Sequence, residues 1–389
     1  QALAIYVGTR GADSPEAASV RGSLAITYAD GGRFGEAAAM AEQVAAWHER
    51  HHGPENPDTL NARFNLGGYL LALGRSSEAT RLALDVVARQ RRVLGERHDR
   101  LALSLRLLAR VLGDAGRAEE ALPPIAEAVA IHRERFGASH PRVAMDLAWQ
   151  ALIEARLGRL VEAERDIRWA LALTGQAGVP AAVRTNMPAT VGIVLTEVGQ
   201  LGEADERLSQ AVSALRAEGP GGVFLGRALD ALGDVVRQRG QTARAAELGR
   251  EGLALLEGSI GADHPATVLA RAHAGAALWA AGQAGEGERL LRAGLQGLEA
   301  KFPDGHPDLA AARFLLGDAL RGSDRAVEAR PLLQAALEWR QAHFGPADPR
   351  TAAVRRALGS VAKRTTGTTE TGEPSPQTDG RGRDARPPN

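Results

Sequence analysis

Gly32-Arg33-Phe34-Gly35-Glu36-Ala37, Gly74-Arg75-Ser76-Ser77-Glu78-Ala79, Gly116-Arg117-Ala118-Glu119-Glu120-Ala121 and Gly158-Arg159-Leu160-Val161-Glu162-Ala163 are one pattern repeated at a step of 42 residues. Gly199-Gln200-Leu201-Gly202-Glu203-Ala204, Gly240-Gln241-Thr242-Ala243-Arg244-Ala245, Gly282-Gln283-Ala284-Gly285-Glu286-Gly287 and Asp324-Arg325-Ala326-Val327-Glu328-Ala329 continue it at steps of 41 or 42, making eight copies. Self-similarity at such a period is the signature of a repeat array, in which each unit buries its apolar face only against its neighbours.

A second marker keeps the same beat. Pro15, Pro57, Pro141, Pro265, Pro307 and Pro349 each follow a polar residue: Ser14, Asn56, His140, His264, His306 and Asp348. Asp99 takes the proline slot in the third repeat, and repeats five and six lack the marker at this register. Proline suits the first helical position, where its missing N–H would be unpaired anyway, and the polar residue before it can cap. A first helix of about sixteen residues is expected to follow, ended by the glycine of the hexapeptide in the left-handed conformation. The glutamate then falls in the first turn of a second helix, where the dipole favours an anion.

The tenth residue after the proline slot is Ala25, Gly67, Ala109, Ala151, Gly192, Gly233, Gly275 and Gly317, small in every repeat and usually preceded by a large apolar residue such as Leu24, Leu66 or Leu108. The second helix carries Ala37, Ala79, Ala121, Ala163, Ala204, Ala245, Gly287 and Ala329 at one equivalent position. Small residues in phase on both helices describe antiparallel pairs whose backbones approach closely, with the bulky neighbour filling the core. The fold class read from the residues is all-α.

This pattern resembles the tetratricopeptide repeat in its longer, 42-residue form, as in kinesin light chains and many bacterial regulators. The resemblance implies a right-handed α-solenoid of about eight tetratricopeptide helix pairs plus a terminal capping helix, with first helices lining the concave surface and second helices the convex one. Residues 1–363 are assigned to the solenoid. Residues 1–10 align with the end of a second helix, as in a truncated repeat, and 349–363 read as a lone first helix that caps the last apolar face. From Arg364 the chain turns to Thr, Gly, Pro, Ser and charge, so 364–389 is expected to be a disordered tail. The opening residue Gln1 is expected of a piece cut from a longer protein.

Two stretches break the rhythm. Pro188 falls in the middle of the fifth first helix and should kink it or delay its start. Gly175-Gln176-Ala177-Gly178-Val179-Pro180 and Gly219-Pro220-Gly221-Gly222 replace the usual connections. Drift in a tolerant fold and a hinge that shapes the groove are both open readings. Pro123, Pro124 and Pro331 fall early in second helices, where the family often carries proline.

Composition narrows the function. The 389 residues are 44% hydrophobic but only 4% aromatic, which suits packed helices. Lys+Arg and Asp+Glu balance at 47 each, so there is no bulk attraction to nucleic acid or an anionic membrane. The absence of cysteine excludes disulfides, thiolate zinc sites and cysteine nucleophiles. No apolar run approaches the length of a bilayer span. Gly219-Pro220-Gly221-Gly222 lacks the following Gly-Lys-Ser/Thr of a phosphate loop and sits where a turn is due. His48, His51 and His52 have helical spacing, but basic residues near a helix C-terminus are ordinary, and no metal or cofactor is expected.

The candidate site is therefore the groove. Positions four, seven, eleven and fourteen after the proline slot share one helical face. They nominate Asn61, Phe64, Arg106, Arg110, Asn186, Asp230, Asp234, Trp279, Phe314 and Asp318, with Asn65 beside them as the one clear counterpart of an asparagine that kinesin light chains carry. Arg106 and Arg110, one turn apart, resemble the basic pair with which some tetratricopeptide domains hold an acidic peptide end; the companion Asn and Lys positions are mostly absent. Asp230, Asp234 and Asp318 would make the later groove acidic, unless neighbours such as Arg227 and Arg237 neutralise them. Phe64, Trp279 and Phe314 would be apolar anchors. The expected function is a non-enzymatic scaffold for a peptide or partner protein, placed by the resemblance in the cytoplasmic sensor arm of a larger bacterial regulator. The alternative is a nucleic-acid-binding helical repeat, against which the zero net charge and the aspartates count. Oligomeric state is left open.

Overall fold

The computed structural model describes residues 2–174, 181–219, 222–323 and 325–367, and among them every regular element is a helix. A first helix α1 (Ala2–Arg10) precedes eight pairs: α2 (Pro15–Asp30) with α3 (Phe34–His52), α4 (Pro57–Ala72) with α5 (Ser76–Leu94), α6 (Asp99–Asp114) with α7 (Ala118–Phe136), α8 (Pro141–Arg156) with α9 (Leu160–Thr174), α10 (Ala181–Glu197) with α11 (Leu201–Glu218), α12 (Val223–Gln238) with α13 (Thr242–Ile260), α14 (Pro265–Ala280) with α15 (Ala284–Lys301), and α16 (Pro307–Arg321) with α17 (Ala326–Phe344). A lone α18 (Pro349–Gly367) ends the array, its Val354, Ala357 and Val361 buried against the last pair. α18 takes in 364–367 of the expected 364–389 tail; the rest of that tail, residues 175–180 and residues 220–221 of the glycine-rich connection lie outside the described residues.

The sequence punctuation makes the bonds it implied. Ser14 and Asn56 accept from the N–H of Ala17 and Asp58 at 3.2 and 2.8 Å. His98, His140, His264 and His306 each accept at Nδ1 from the N–H two residues on, at 3.1 to 3.2 Å, and Asp348 accepts from Arg350 at 2.8 Å. A histidine used this way is a neutral cap with its proton on Nε2. The repeated turn glycines have φ between 71° and 85°, the left-handed region. The following arginine does not cap with its side chain; it forks onto the glutamate three residues later, as Arg75 does to Glu78 at 2.6 and 2.7 Å and Arg117 to Glu120 at 2.7 and 2.6 Å.

At the helix crossings the small residues are buried, Ala109, Ala121, Ala151 and Ala163 completely. The seventh pair shows why nothing larger fits. A Cβ placed on Gly275 would lie 2.6 Å from the Leu291 nitrogen and 2.8 Å from the Gly287 oxygen, and one on Gly287 would lie 2.6 Å from the Trp279 nitrogen. These are backbone atoms, which cannot step aside without moving a helix. The irregular fifth pair departs from expectation in one respect: α10 begins at Ala181 and runs through Pro188, so its start is not delayed.

The chain winds far enough to meet itself. The turn of the second pair lies against the start of α14, since a Cβ on Gly74 would approach Pro265 Cδ to 2.8 Å and His264 to 3.1 Å. The turn of the third pair meets the start of α16, where a Cβ on Gly116 would sit 2.6 Å from His306 Cδ2. The turn of the fourth pair meets Phe344 and Asp348 before α18, and Arg350 bonds Glu197 at 2.7 Å. Each of the three glycine-turn contacts spans about four and a half repeats. Nearer the N-terminus, Phe34, Tyr69 and Leu73 join one apolar cluster with Val223, Ile260 and Ala281. Successive turns of the superhelix are thus in contact along a seam of histidine-capped helix starts and glycine turns.

The seam separates two glycines of equal local conformation. Gly199 has φ 84° with open space beside it, whereas Gly116 has φ 77° and faces His306. Gly199→Ala should cost about 1 kcal/mol from backbone strain alone. Gly116→Ala should cost at least about 1 kcal/mol more, as overpacking does, and should raise the radius of gyration in small-angle scattering. Equal urea midpoints and equal radii for the two variants would show that the seam carries no energy.

Candidate functional site

Which face is inside follows from the packing. Consecutive first helices touch one another from α4 onward to α18, while no two consecutive second helices make sustained contact among the described residues. The even-numbered helices therefore lie on the inside of the curve, and the positions nominated from the helical period belong to the inner helices.

The structure distributes the nominated residues unevenly. Asn61 is exposed and Asn65 half-buried on α4, and Phe64 packs with Leu66 and Leu82 on a small cluster around Leu70 and Leu107. Trp279 and Phe314 are half-buried against the cluster of the last two pairs, with the Arg340 guanidinium 5.0 Å from the Phe314 ring centre. Asn186 lies on α10, but its side chain is outside the described residues.

Several charges are spent internally. Arg106 Nη1 donates to Asp146 Oδ1 at 3.0 Å, and Asp146 Oδ2 holds His132 Nδ1; Asp146 and His132 are fully buried. Arg106 is thus the outer member of a buried triad rather than a free partner for Arg110. Asp230 and Asp234 are neutralised as well. Asp234 takes Arg237 at 2.6 Å and Gln238 at 2.8 Å, as adjacency suggested. Asp230 takes not Arg227 but His273, whose Nδ1 lies 3.1 Å from both its oxygens. Burial would lower the His273 pKa, yet the charge and hydrogen bond of Asp230, with Asp234 beyond, hold it up at about 9. Burial likewise opposes ionisation of Asp234, but Arg237 and His273 keep it down at about 2. Asp318 is paired with Arg321 at 2.7 Å.

The residue that sequence reasoning undervalued is Arg227. The helical period puts it on the groove face and adjacency offers it to Asp230; instead its charge acts across three repeats, lowering the pKa of Arg110, Asp114 and His264. No local signal announces this, because α6 and α12 are three repeats apart and meet only through the winding. Arg110 lies over the Trp149 ring at 4.5 Å. Asp114 accepts from Arg156 at 3.3 Å.

Among the described residues there is no group of three metal-ligating side chains, and no helix is long and apolar enough to cross a membrane. The arrangement is a curved helical scaffold with a polar inner face. Residues 17–58, 59–99, 101–142 and 225–266 match the tetratricopeptide repeat family, so these segments are tetratricopeptide repeats. Among solved structures it is similar to a kinesin light chain with nearly identical TPR-like repeats from Podosopora anserina, at 25% identity and TM-score 0.41, covering 51% of this chain and 95% of that one. It is also similar to a Rap protein complexed with competence and sporulation factor, at 14% identity and TM-score 0.56, covering 90% and 99%. The APC/C hetero-tetramer Cut9-Hcn1 matches at 14% identity and TM-score 0.58, covering 92% and 58%. No curated protein matches the chain.

The His273–Asp230 pair gives a pH signature. Its folded pKa stands above the ordinary histidine value of 6.5, so its stabilisation is complete below about pH 6.5 and fades as pH rises through about 9. His273→Ala should lose about 2 kcal/mol at pH 6 and distinctly less at pH 9.5. Urea denaturation at the two pH values checks this; a loss independent of pH would mean that His273 acts by packing alone.

Proposed function

We propose that the chain is a protein-interaction scaffold that takes an extended segment of a partner protein along its inner face, as the regulatory arm of a larger bacterial, cytoplasmic regulator. The observation that carries this reading is the chemistry of the inner helices. Their outward positions present Asn61, Asn65, Arg110 and Trp279 incompletely buried, while the core is closed by alanine, leucine and valine. A surface of amide, guanidinium and aromatic groups on rigid helices suits an extended peptide, whose backbone needs hydrogen-bond partners and whose side chains need anchors. The Rap protein that shares this fold is solved with competence and sporulation factor bound, which supports a ligand-binding role for such a superhelix.

The experiment compares faces. Asn61→Arg/Asn65→Arg places bulk on the inner side without touching an internal ion pair. Val161 and Val327, each 81% exposed at the starts of second helices, serve as the outer comparison, changed to glutamate. Partners recovered by affinity capture on wild type should be lost from the inner variant by at least about tenfold, the effect of about 1.4 kcal/mol, and retained by the outer one. Loss from the outer variant with retention by the inner one would overturn the reading. Arg106→Glu is unsuitable here, because it would strand the buried Asp146.

A further inference from the structure

We propose that a cavity on the outer face, between α7 and α9 and floored by α8, binds a small organic amine, its ammonium held by Asp166 and Gln150 and its hydrocarbon body lying against Trp169. The site is separate from the inner face, so neither reading depends on the other.

The first ground is a break in the repeat. Gln150 takes the slot that holds Leu24, Leu66, Leu108, Val191, Leu232 and Leu316 in other pairs. Glu154 takes that of Leu70, Leu112, Leu195, Val236, Leu278 and Leu320, all of them buried. Asp166 takes that of Leu82, Leu248, Leu290 and Leu332. Leucine serves these crossings elsewhere, so the polar set is not a requirement of helix pairing. In the fourth pair the three polar residues are bonded together: Gln150 Nε2 donates to Asp166 Oδ2 at 2.6 Å and to Glu154 Oε1 at 3.1 Å.

The second ground is what this bonding leaves over. Only the amide nitrogen can donate to two carboxylates, so the other end of the Gln150 amide, Oε1, is left as an acceptor. Glu154 and Asp166 are only 5% and 3% exposed, and Glu154 Oε2 is buried without a hydrogen-bond partner. Arg165 Nε bonds Asp166 Oδ1 at 2.8 Å, but that arginine side chain is 63% exposed and screened by solvent. Burial and the charge of Asp166 push Glu154 up to about 7, with Gln150 and Arg165 pulling only partly back. This interior is short of donors and of positive charge. An ammonium supplies three donors and one charge.

The third ground is room. The cavity encloses about 450 Å³, a small-molecule size. Leu147 and Gln150 form its floor, with Val129 and Ala130 of α7 on one side and Asp166 of α9 on the other. One turn further along both outer helices stand Arg133 and Trp169, the guanidinium 4.5 Å from the ring centre. The aromatic wall therefore already faces a cation of the chain itself. An apolar amine lays its ammonium on Asp166 and Gln150 Oε1 and its body along Val129, Leu147 and Trp169, and its charge also offsets that of Glu154 behind them.

The test titrates the full chain with phenethylamine, phenethyl alcohol, hydrocinnamate and a capped lysine at constant ionic strength, read by calorimetry and melting temperature. Phenethylamine should bind and raise the melting temperature. The alcohol lacks its charge, hydrocinnamate reverses it and the capped lysine lacks the aromatic body; each should bind at least about tenfold more weakly. Asp166→Asn and, separately, Trp169→Ala at the exposed ring should each weaken phenethylamine at least about tenfold. Gln150→Leu/Glu154→Leu/Asp166→Leu restores the residue of the other pairs; it should keep the helical content of wild type and lose binding, and it replaces Asp166→Asn if that variant misfolds. Arg133→Gln removes a competing cation and should not weaken phenethylamine. Preference for hydrocinnamate, lost in Arg133→Gln, would overturn the ammonium assignment, and preference for the capped lysine would overturn the free amine as occupant. Equal binding of amine and alcohol would overturn the role of the carboxylates, and binding of no probe would overturn the site.

Discussion

The structure depends on how closely the two helices of a pair can approach. At the seventh crossing, backbone nitrogen and oxygen atoms lie where a single added carbon would be. The other crossings hold alanine or glycine at the same phase, buried to the same degree. Helices at such short separation gain dispersion contact over their whole length, and their large neighbours, such as Leu108, Leu232 and Leu316, are driven into the space between pairs. Identical crossings at a regular step add up to a regular curvature. Close approach within each pair is thus the local cause of the tight winding, and the winding is the cause of the seam.

The seam joins two features that began as local devices. A histidine before proline is a helix cap, and a glycine at the turn is a helix stop. In the wound molecule the ring of one lies against the backbone of the other, with His306 stacked on Phe302 at 3.9 Å and pressed toward Gly116. Because Nδ1 is occupied by the cap, the imidazole must stay neutral, which suits a place already rich in arginine. At the last contact Asp348 caps instead, with Arg350 bonded both to it and to Glu197. The change of chemistry at that end, from neutral ring to ion pair, coincides with the irregular fifth pair that contributes Glu197.

The repeat unit was legible to the residue. Caps, turn glycines, helix lengths and the small residues at the crossings follow from local spacing, because each is decided by interactions within about one repeat. Pro188 was less legible: its position in mid-helix argued for a late start, but α10 begins before it, and packing against α11 and α12 outweighs one missing hydrogen bond. The inner face was legible as positions but not as chemistry. Arg237 with Asp234 could be read three residues apart, whereas Asp230 with His273 spans a whole repeat, and Arg106 with Asp146 likewise. Arg110 with Arg227 spans three repeats, beyond the reach of any periodicity argument.

That gradient has a physical reason which bears on how such arrays acquire partners. In a solenoid, stability comes from contacts between neighbours, so substitutions on the inner face are constrained by adjacent helices only. The pairs Asp230–His273 and Asp234–Arg237 satisfy that constraint locally and leave no charge over. The Arg110, Arg156, Arg227 and Asp114 group does not, since its members come from helices that do not adjoin in sequence and its positive charges exceed its negative one. A group with unbalanced charge adds nothing to the stability of the array in isolation. On α8 the imbalance has the opposite sign: Glu154, buried beside Asp166 and with one oxygen unbonded, is pushed up to about 7.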